Sequence, residues 1–331
     1  MGRQAIRRGR QAPGAWSRDM SDARPLPAPP RILLLGADGQ LGWELRRALL
    51  PLGMLQACGR ARADLNDLAA LRALLDRERP DIVVNAAAYT AVDKAESEPE
   101  AAMRVNAEAP AVLADYAAAQ GAFLVHYSTD YVFDGGKDQP YTERDTPAPQ
   151  SVYGRTKLEG ERAIARSGCR HFTFRTSWVF AARGGNFAKT MLRLARERDS
   201  LRVVSDQLGA PTSAELIADV TALALHRLRH DADFAAAAAG ASGLFHLTAT
   251  GSTSWHGYAC FVLERARALG AALRCATEAV QPIATADYPL PAPRPASSRL
   301  DCARIQAALG ITLPAWPIQV ERMLAEVLQS D

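Results

Sequence analysis

Tyr153 and Lys157 are the residues whose types and spacing most directly suggest chemistry. They stand four apart in a segment of helical pattern, Ser151–Arg166, so they share one face and lie one turn apart. A phenol is a poor acid near neutrality, with an unperturbed pKa of about 10. A neighbouring ammonium favours the phenolate and pulls that value towards working pH, as general acid catalysis needs. The same spacing also arises without chemistry, as an exposed lysine beside a half-buried tyrosine. Upstream, Ser128-Thr129-Asp130 follows the apolar run Phe123–His126. Open α/β sheets gather their active-site groups at the C-terminal ends of strands. A hydroxyl there can hold a substrate carbonyl against the tyrosine, although Thr and Asp in that place also serve simply to cap a turn.

A second constellation lies near the start of the patterned chain. Gly36-Ala37-Asp38-Gly39-Gln40-Leu41-Gly42 separates the apolar run Ile32–Leu35 from a helical pattern over Gln40–Leu50. Glycines let the chain turn sharply and let its backbone approach a pyrophosphate. The helix start that follows offers unpaired N–H groups and the positive end of a dipole. Purely steric demands of a strand-to-helix turn also select glycine; the strand–loop–helix context favours dinucleotide binding. The spacing is G-x-x-G-x-x-G, which resembles the pattern of extended short-chain dehydrogenases. About 20 residues on, where an acid selecting NAD is expected, the chain reads Cys58-Gly59-Arg60-Ala61-Arg62. Two arginines suit a 2′-phosphate and point to NADPH. A solvated basic loop is the plainer alternative, and nearby Asp64 keeps NADH open.

The elements that must position these groups follow from periodicity. Short apolar runs at Ile32–Leu35, Ile82–Val84, Phe123–His126 and Phe172–Arg175 read as strands buried on both faces. Helical segments at Leu65–Glu78, Pro99–Gln120 and Ser151–Arg166 alternate with them. The expected fold is therefore α/β, a Rossmann-type doubly wound parallel sheet with right-handed crossovers. Helical segments at Asn186–Arg198, Ser213–Arg229, Ser254–Leu269 and Pro317–Gln329 follow, separated by Pro- and Gly-rich connections. Tyr288–Pro295 holds four prolines and cannot be helix. Residues 31–175 are expected to form the dinucleotide-binding domain. Residues 176–331 form a smaller, mainly substrate-binding portion, with segments that can return to the main sheet.

Composition bounds the partners. The 331 residues are 48% hydrophobic and 23% charged, a globular balance. Net charge is +3, and residues 1–30 alone carry six Arg against Asp19 and Asp22. The rest of the chain is close to neutral, which argues against a nucleic-acid surface. Residues 1–30 lack hydrophobic periodicity and are expected to be a disordered extension, with Met20 an alternative start. An Arg-rich targeting peptide is the other reading, although no secretory apolar core is present. Cys58, Cys169, Cys260, Cys275 and Cys302 contain no C-x-x-C pair and read as reduced thiols in the cytoplasm. No uncharged apolar run reaches the length of about 18 residues that spans a bilayer, and the alanine run Ala235–Ala239 is far too short.

Longer motifs carry a family resemblance. Leu35 to Gly42, Asn85-Ala86-Ala87-Ala88-Tyr89-Thr90-Ala91-Val92-Asp93-Lys94-Ala95-Glu96 and His126–Phe133 resemble the dTDP-4-dehydrorhamnose reductases. So do Tyr153-Gly154-Arg155-Thr156-Lys157, Arg175–Val179, Asp206-Gln207, Gly209–Thr212 and Arg299–Asp301. The resemblance covers essentially residues 31–328. It implies that Gly39, Gln40 and Leu41 touch the cofactor pyrophosphate, Asp64 and Leu65 the adenine side, and Ala86, Ala87 and Ala88 line the cofactor channel. It implies Tyr153 as proton donor, Lys157 on the nicotinamide ribose, Thr129 and Asp130 on the sugar, and Trp178 packed on the deoxyhexose.

The implied reaction is reduction of a nucleotide-linked 4-keto-deoxysugar to dTDP-rhamnose, by a monomer or homodimer. Some members of the family are linked by Mg²⁺ between carboxylates. Glu44 and Glu215 match two such positions, but the third is Pro317, which cannot ligate through its side chain. Two other functions compete. An epimerase of the same superfamily would retain NAD and show no net reduction. A non-catalytic regulatory subunit would be expected to lack the intact Tyr–Lys pair.

Overall fold

The computed structural model describes residues 28–234 and 243–329. The expected N-terminal extension lies outside these residues except at its last three positions, and so does the alanine run. Strands Arg31–Leu35 (β1), Met54–Cys58 (β2), Ile82–Asn85 (β3), Phe123–Thr129 (β4) and Arg170–Thr176 (β5) form one sheet. Every pairing among them is parallel. The order is β2-β1-β3-β4-β5, extended at the β5 edge by Leu244–His246 (β10), also parallel. The order reverses between β1 and β3, and such a switch point opens a crevice outside the strands' C-terminal ends.

The apolar runs are continuous because both faces of the sheet are covered. Alternate residues Ile32, Leu34, Val84, Val125 and Phe174 pack on one side with Leu45 and Leu49 of α1 (Gln40–Leu49). Leu33, Leu35, Val83 and Leu124 face the other side, against α2 (Leu68–Glu78) and α5 (Ala109–Gln120). Helix α2 starts three residues later than expected because the Asp67 side chain accepts from Ala70 N and caps it there. Between β3 and α5 lie α3 (Val92–Ala95) and α4 (Pro99–Met103). The expected helix over 99–120 is broken by a π turn at Arg104–Glu108. Within that turn the buried Asn106 amide turns away from the helix to bind Tyr89 N, Tyr89 O and Thr156 Oγ1.

Helix α6 (Val152–Ser167), capped by Ser151, lies on the same sheet face as α5. Short strands Val179–Phe180 (β6), Leu201–Val204 (β7), Leu208–Gly209 (β8), Thr212–Ser213 (β9), Thr253–Ser254 (β11) and Val280–Ile283 (β12) pair two by two in the second half. They frame a second core built from α7 (Phe187–Glu197), α9 (Trp255–Ala268) and α11 (Trp316–Gln329), where Met191, Tyr258, Val262 and Val320 are buried together. The halves interleave. Helix α8 (Ala214–His230) places Ile217, Val220 and Leu225 in the main sheet's core, and Ile305 of α10 (Ala303–Leu309) joins it there.

Candidate active site

A cleft of about 640 Å³ opens at the C-terminal ends of β1, β3, β4 and β5. The glycine loop forms its floor. Gly36 has φ +76°, and a Cβ there would come within 2.6 Å of Ala87 N. Gly42 is buried beneath the loop, where a side chain would strike the Gly36 carbonyl. Gly39 differs, since the nearest atom to its missing Cβ is 3.4 Å away. It faces the cleft, where a close-lying phosphate rather than the protein would exclude a side chain. Gly39 also caps α1 without a side-chain acceptor, leaving first-turn N–H groups for an anion. The loop therefore fits a dinucleotide pyrophosphate on steric and electrostatic grounds.

Gln40, Leu41, Asp64, Leu65, Ala86, Ala87 and Ala88 all line the same cleft. Arg60 lines it too, with Nε 4.0 Å from Asp64 Oδ1. Arg62 does not appear on its wall. Of the two arginines, Arg60 is therefore the one placed on the cleft wall. Asp64 is committed locally, accepting from Asn66 N at 3.0 Å and Asn66 Nδ2 at 2.9 Å.

Tyr153, Lys157, Thr129, Asp130 and Trp178 converge at the other end of the cleft. Thr129 ends β4, and its Oγ1 donates to Asp130 Oδ1 at 2.9 Å and accepts from Tyr131 N at 3.3 Å. Asp130 Oδ2 is buried with no partner, and burial pushes this carboxyl up to about 6. Lys157 is 2% exposed. Its Nζ donates to Tyr127 O at 2.6 Å and lies 3.3 Å from His126 Nε2. Burial brings the amine down to about 8, opposed by the Glu161 charge.

Lys157 is not among the groups that set the Tyr153 phenol in this arrangement. Burial pushes the Tyr153 phenol up to about 12, the Thr129 hydroxyl counteracts it, and the Asp130 charge adds to it. Lys157 Nζ donates to Tyr127 O of β4. The phenol is consequently kept protonated near neutrality, loaded as a donor for an oxyanion more basic than itself.

Trp178 follows β5 with φ +48°, a left-handed conformation rare for a bulky residue. Its ring stacks on Trp255 at 3.5 Å and 11°. Gly209 lies behind it, where a Cβ would meet the indole at 2.5 Å. Sequence reasoning missed Trp255, Asp38, Thr176 and Ser177, which also line the cleft. Thr176 was detectable, because it ends β5 in register with Thr129 and the strand-end rule applies to both. Its buried hydroxyl has no protein partner. Trp255 lies far along the chain and carried no local signal.

The Mg²⁺ positions do not fit a metal. The Glu215 charge helps burial to raise Glu44, so the two approach each other. However, Arg322 donates to Glu215 at 3.1 Å, and Arg47 Nε lies 3.8 Å from Glu44. Among the described residues no group of three His, Cys, Asp or Glu could hold a metal ion.

A doubly wound sheet with a glycine loop at its switch point, and a Tyr–Lys helix facing a strand-end threonine, defines the extended short-chain dehydrogenase/reductase class. Residues 30–329 match the family model described as the RmlD substrate binding domain. The dTDP-4-dehydrorhamnose reductase of Escherichia coli strain K12 is 48% identical over 304 residues, covering 89% of this chain and 97% of that protein. The Burkholderia thailandensis reductase is 48% identical over 298 residues, covering 90% and 99%. Among solved structures, the Bacillus anthracis dTDP-4-dehydrorhamnose reductase in complex with NADP superposes with a TM-score of 0.78 at 31% identity, covering 90% of this chain and 99% of that one. The chain belongs to the dTDP-4-dehydrorhamnose reductase family.

Proposed function

We propose that this protein reduces the C4 ketone of dTDP-4-dehydro-β-L-rhamnose to give dTDP-β-L-rhamnose, the last step of dTDP-rhamnose synthesis, with NADPH as cofactor. The carrying observation is the convergence of Tyr153, Thr129 and Lys157 at one end of a cleft whose other end is the glycine loop. NADPH bound along that cleft supplies the hydride. Gly36, Gly39, Gln40 and Leu41 hold the pyrophosphate, Arg60 the 2′-phosphate, Leu65 and Asp64 the adenine side, and Ala86–Ala88 the channel between them. Residues 31–175 thus serve mainly the cofactor and those beyond 176 mainly the sugar.

Thr129 turns its hydroxyl hydrogen from Asp130 Oδ1 to the ketone oxygen and holds it beside the phenol, and Tyr153 gives its proton to that oxygen as charge develops. An alkoxide is about as basic as hydroxide, whose parent water has a pKa near 15.7, so a phenol near 12 still donates downhill. Lys157 holds the nicotinamide ribose, Asp130 a sugar hydroxyl, and Trp178 lays its ring on the deoxyhexose. No helix among the described residues is long and apolar enough to cross a membrane, in keeping with the cytoplasmic setting this reading assigns. The test follows absorbance of NADPH and NADH separately with dTDP-4-dehydro-L-rhamnose. Stoichiometric oxidation of NADPH supports the reading; epimerisation without net oxidation rejects it.

A further inference from the structure

The segment between β6 and α7, residues 181–186, crosses from the second half of the chain onto the first turn of α1, and the proposed reaction gives it no task. Arg183 lays the carbon of its guanidinium 3.7 Å from the centre of the Trp43 ring. Gly184 turns with φ +79° against the stem of Gln40, where a Cβ would come within 3.1 Å of Gln40 Cγ. From the α7 side, Lys189 Nζ donates to Ala182 O at 2.7 Å. Gln40 and Trp43 stand three apart on α1 and so share the face beneath this strap.

The strap ends at Asn186, whose side-chain orientation is settled by backbone groups. Its Oδ1 accepts from Lys189 N at 3.1 Å and caps α7. Its Nδ2 donates to Ala181 O at 2.7 Å. Turning the amide over would set NH₂ against an N–H and oxygen against a carbonyl. The second hydrogen of Nδ2 goes to Gln40, 3.1 Å away, so the Gln40 atom there must be the acceptor, Oε1. The Gln40 amide therefore has one orientation as well. Its Nε2 has no hydrogen-bond partner among the described residues. That nitrogen is the end left for the cleft, which Gln40 lines.

We propose that Asn186 is a positioning residue that presets the Gln40 side chain as a donor to the cofactor pyrophosphate, beside the unpaired N–H groups of the first turn of α1. A glutamine amide presents oxygen or nitrogen alike when nothing holds it, and only the nitrogen end suits an anion. With the amide already turned, less side-chain freedom is lost when phosphate binds. The strap also ties the phosphate site to α7, in the half of the chain that serves the sugar. This deepens the reductase reading and rests on its placement of the pyrophosphate at the glycine loop.

The first measurement is NMR on the unaltered protein. The Gln40 side-chain NH₂ resonances, assigned by their absence from Gln40→Glu, should move on saturation with NADPH; resonances that stay in place overturn the proposal. The second is a cycle of equilibrium dissociation constants, read from cofactor fluorescence, for Asn186→Asp, Gln40→Ala and the double variant. Aspartate keeps the helix cap but has no hydrogen to offer. Gln40 then turns its NH₂ to the carboxylate and its oxygen to the phosphates. Asn186→Asp should weaken NADPH and NADH alike, by about tenfold or more, because both carry the pyrophosphate. In the Gln40→Ala background most of that loss should vanish, leaving only the effect of the added charge. An equal loss in both backgrounds overturns the proposal, since the charge or a displaced strap would then be the cause. If neither cofactor binds the unaltered protein, the pyrophosphate reading falls and takes the proposal with it; intact binding without coupling sinks the proposal alone.

Discussion

Replacing Tyr153 by Phe removes one oxygen from the cleft and little else. The ring is held edge-on by Tyr131 at 5.5 Å, so phenylalanine keeps its place and the site keeps its shape. General acid catalysis by a positioned side chain is worth about 10² to 10⁴ in rate. At about 1.36 kcal/mol per tenfold, the barrier should rise by roughly 3 to 5 kcal/mol. Thr129 sharpens the test, because the proposed reaction has its hydroxyl hold the same ketone oxygen that Tyr153 protonates. Its single hydrogen goes to Asp130 Oδ1, 2.9 Å away, in the resting site and to the ketone oxygen in the proposed complex. Thr129→Val and Tyr153→Phe should therefore be non-additive, with a coupling of about 0.5 to 3 kcal/mol. The assay is kcat/KM from NADPH absorbance for the two single variants and the double, with NADPH affinity measured by fluorescence. A Tyr153→Phe enzyme within tenfold of wild type, or strict additivity with Thr129→Val, would refute the placement of the proton donor.

Asp130→Asn should trade function for stability. The folded carboxyl ionises at about 6 against 3.8 for the ordinary group, so stability from this group is greatest below about pH 4 and falls as pH rises to 6. Above that the buried charge costs about 3 kcal/mol. Denaturant titration should show the variant more stable at pH 7 by up to that amount, unchanged near pH 4, and poor in turnover; equal gains at both pH values contradict the cause. Arg60→Ala should raise KM for NADPH more than for NADH, while Arg62→Ala, off the cleft wall, does far less; matched effects of the two cofactors on Arg60→Ala reject the 2′-phosphate contact. Glu161→Gln leaves Arg175 buried without its counter-charge and should cost about 3 to 5 kcal/mol in chemical denaturation; a loss below about 1 kcal/mol shows that the pair is solvated.

What was legible in the sequence is what is decided locally. The β1–loop–α1 unit was, because three glycines at fixed spacing answer steric demands made within seven residues. Tyr153 and Lys157 were, because helical spacing alone puts them on one face. Strand β2 was not, since Met54–Cys58 lies at a sheet edge with only Cys58 buried and shows neither alternation nor a continuous apolar run. The π turn at 104–108 depends on Asn106 finding partners in Tyr89 and in Thr156, 50 residues on. Sequence spacing shows that an amine is near Tyr153, but not that its Nζ donates to Tyr127 O and lies 3.3 Å from His126 Nε2.

The sugar end of the cleft shows why the second half cannot be read as a separate lobe. Trp178 is held in a left-handed backbone conformation that costs on the order of 1 to 3 kcal/mol for such a residue. Two distant segments enforce it: Trp255 stacks on one face, while in the other Gly209 leaves room behind and Thr212 N donates to the Trp178 carbonyl at 3.2 Å. Trp255 is itself fixed, because its indole N–H donates to Gln207 Oε1 at 3.1 Å and Gln207 donates onward to Thr285. The wall proposed to meet the sugar is thus assembled from residues 178 to 285, while its root is the end of β5 in the main sheet. A displaced Trp178 would relieve the backbone strain and lose the stack together, so the ring has one stable position, set before any sugar arrives.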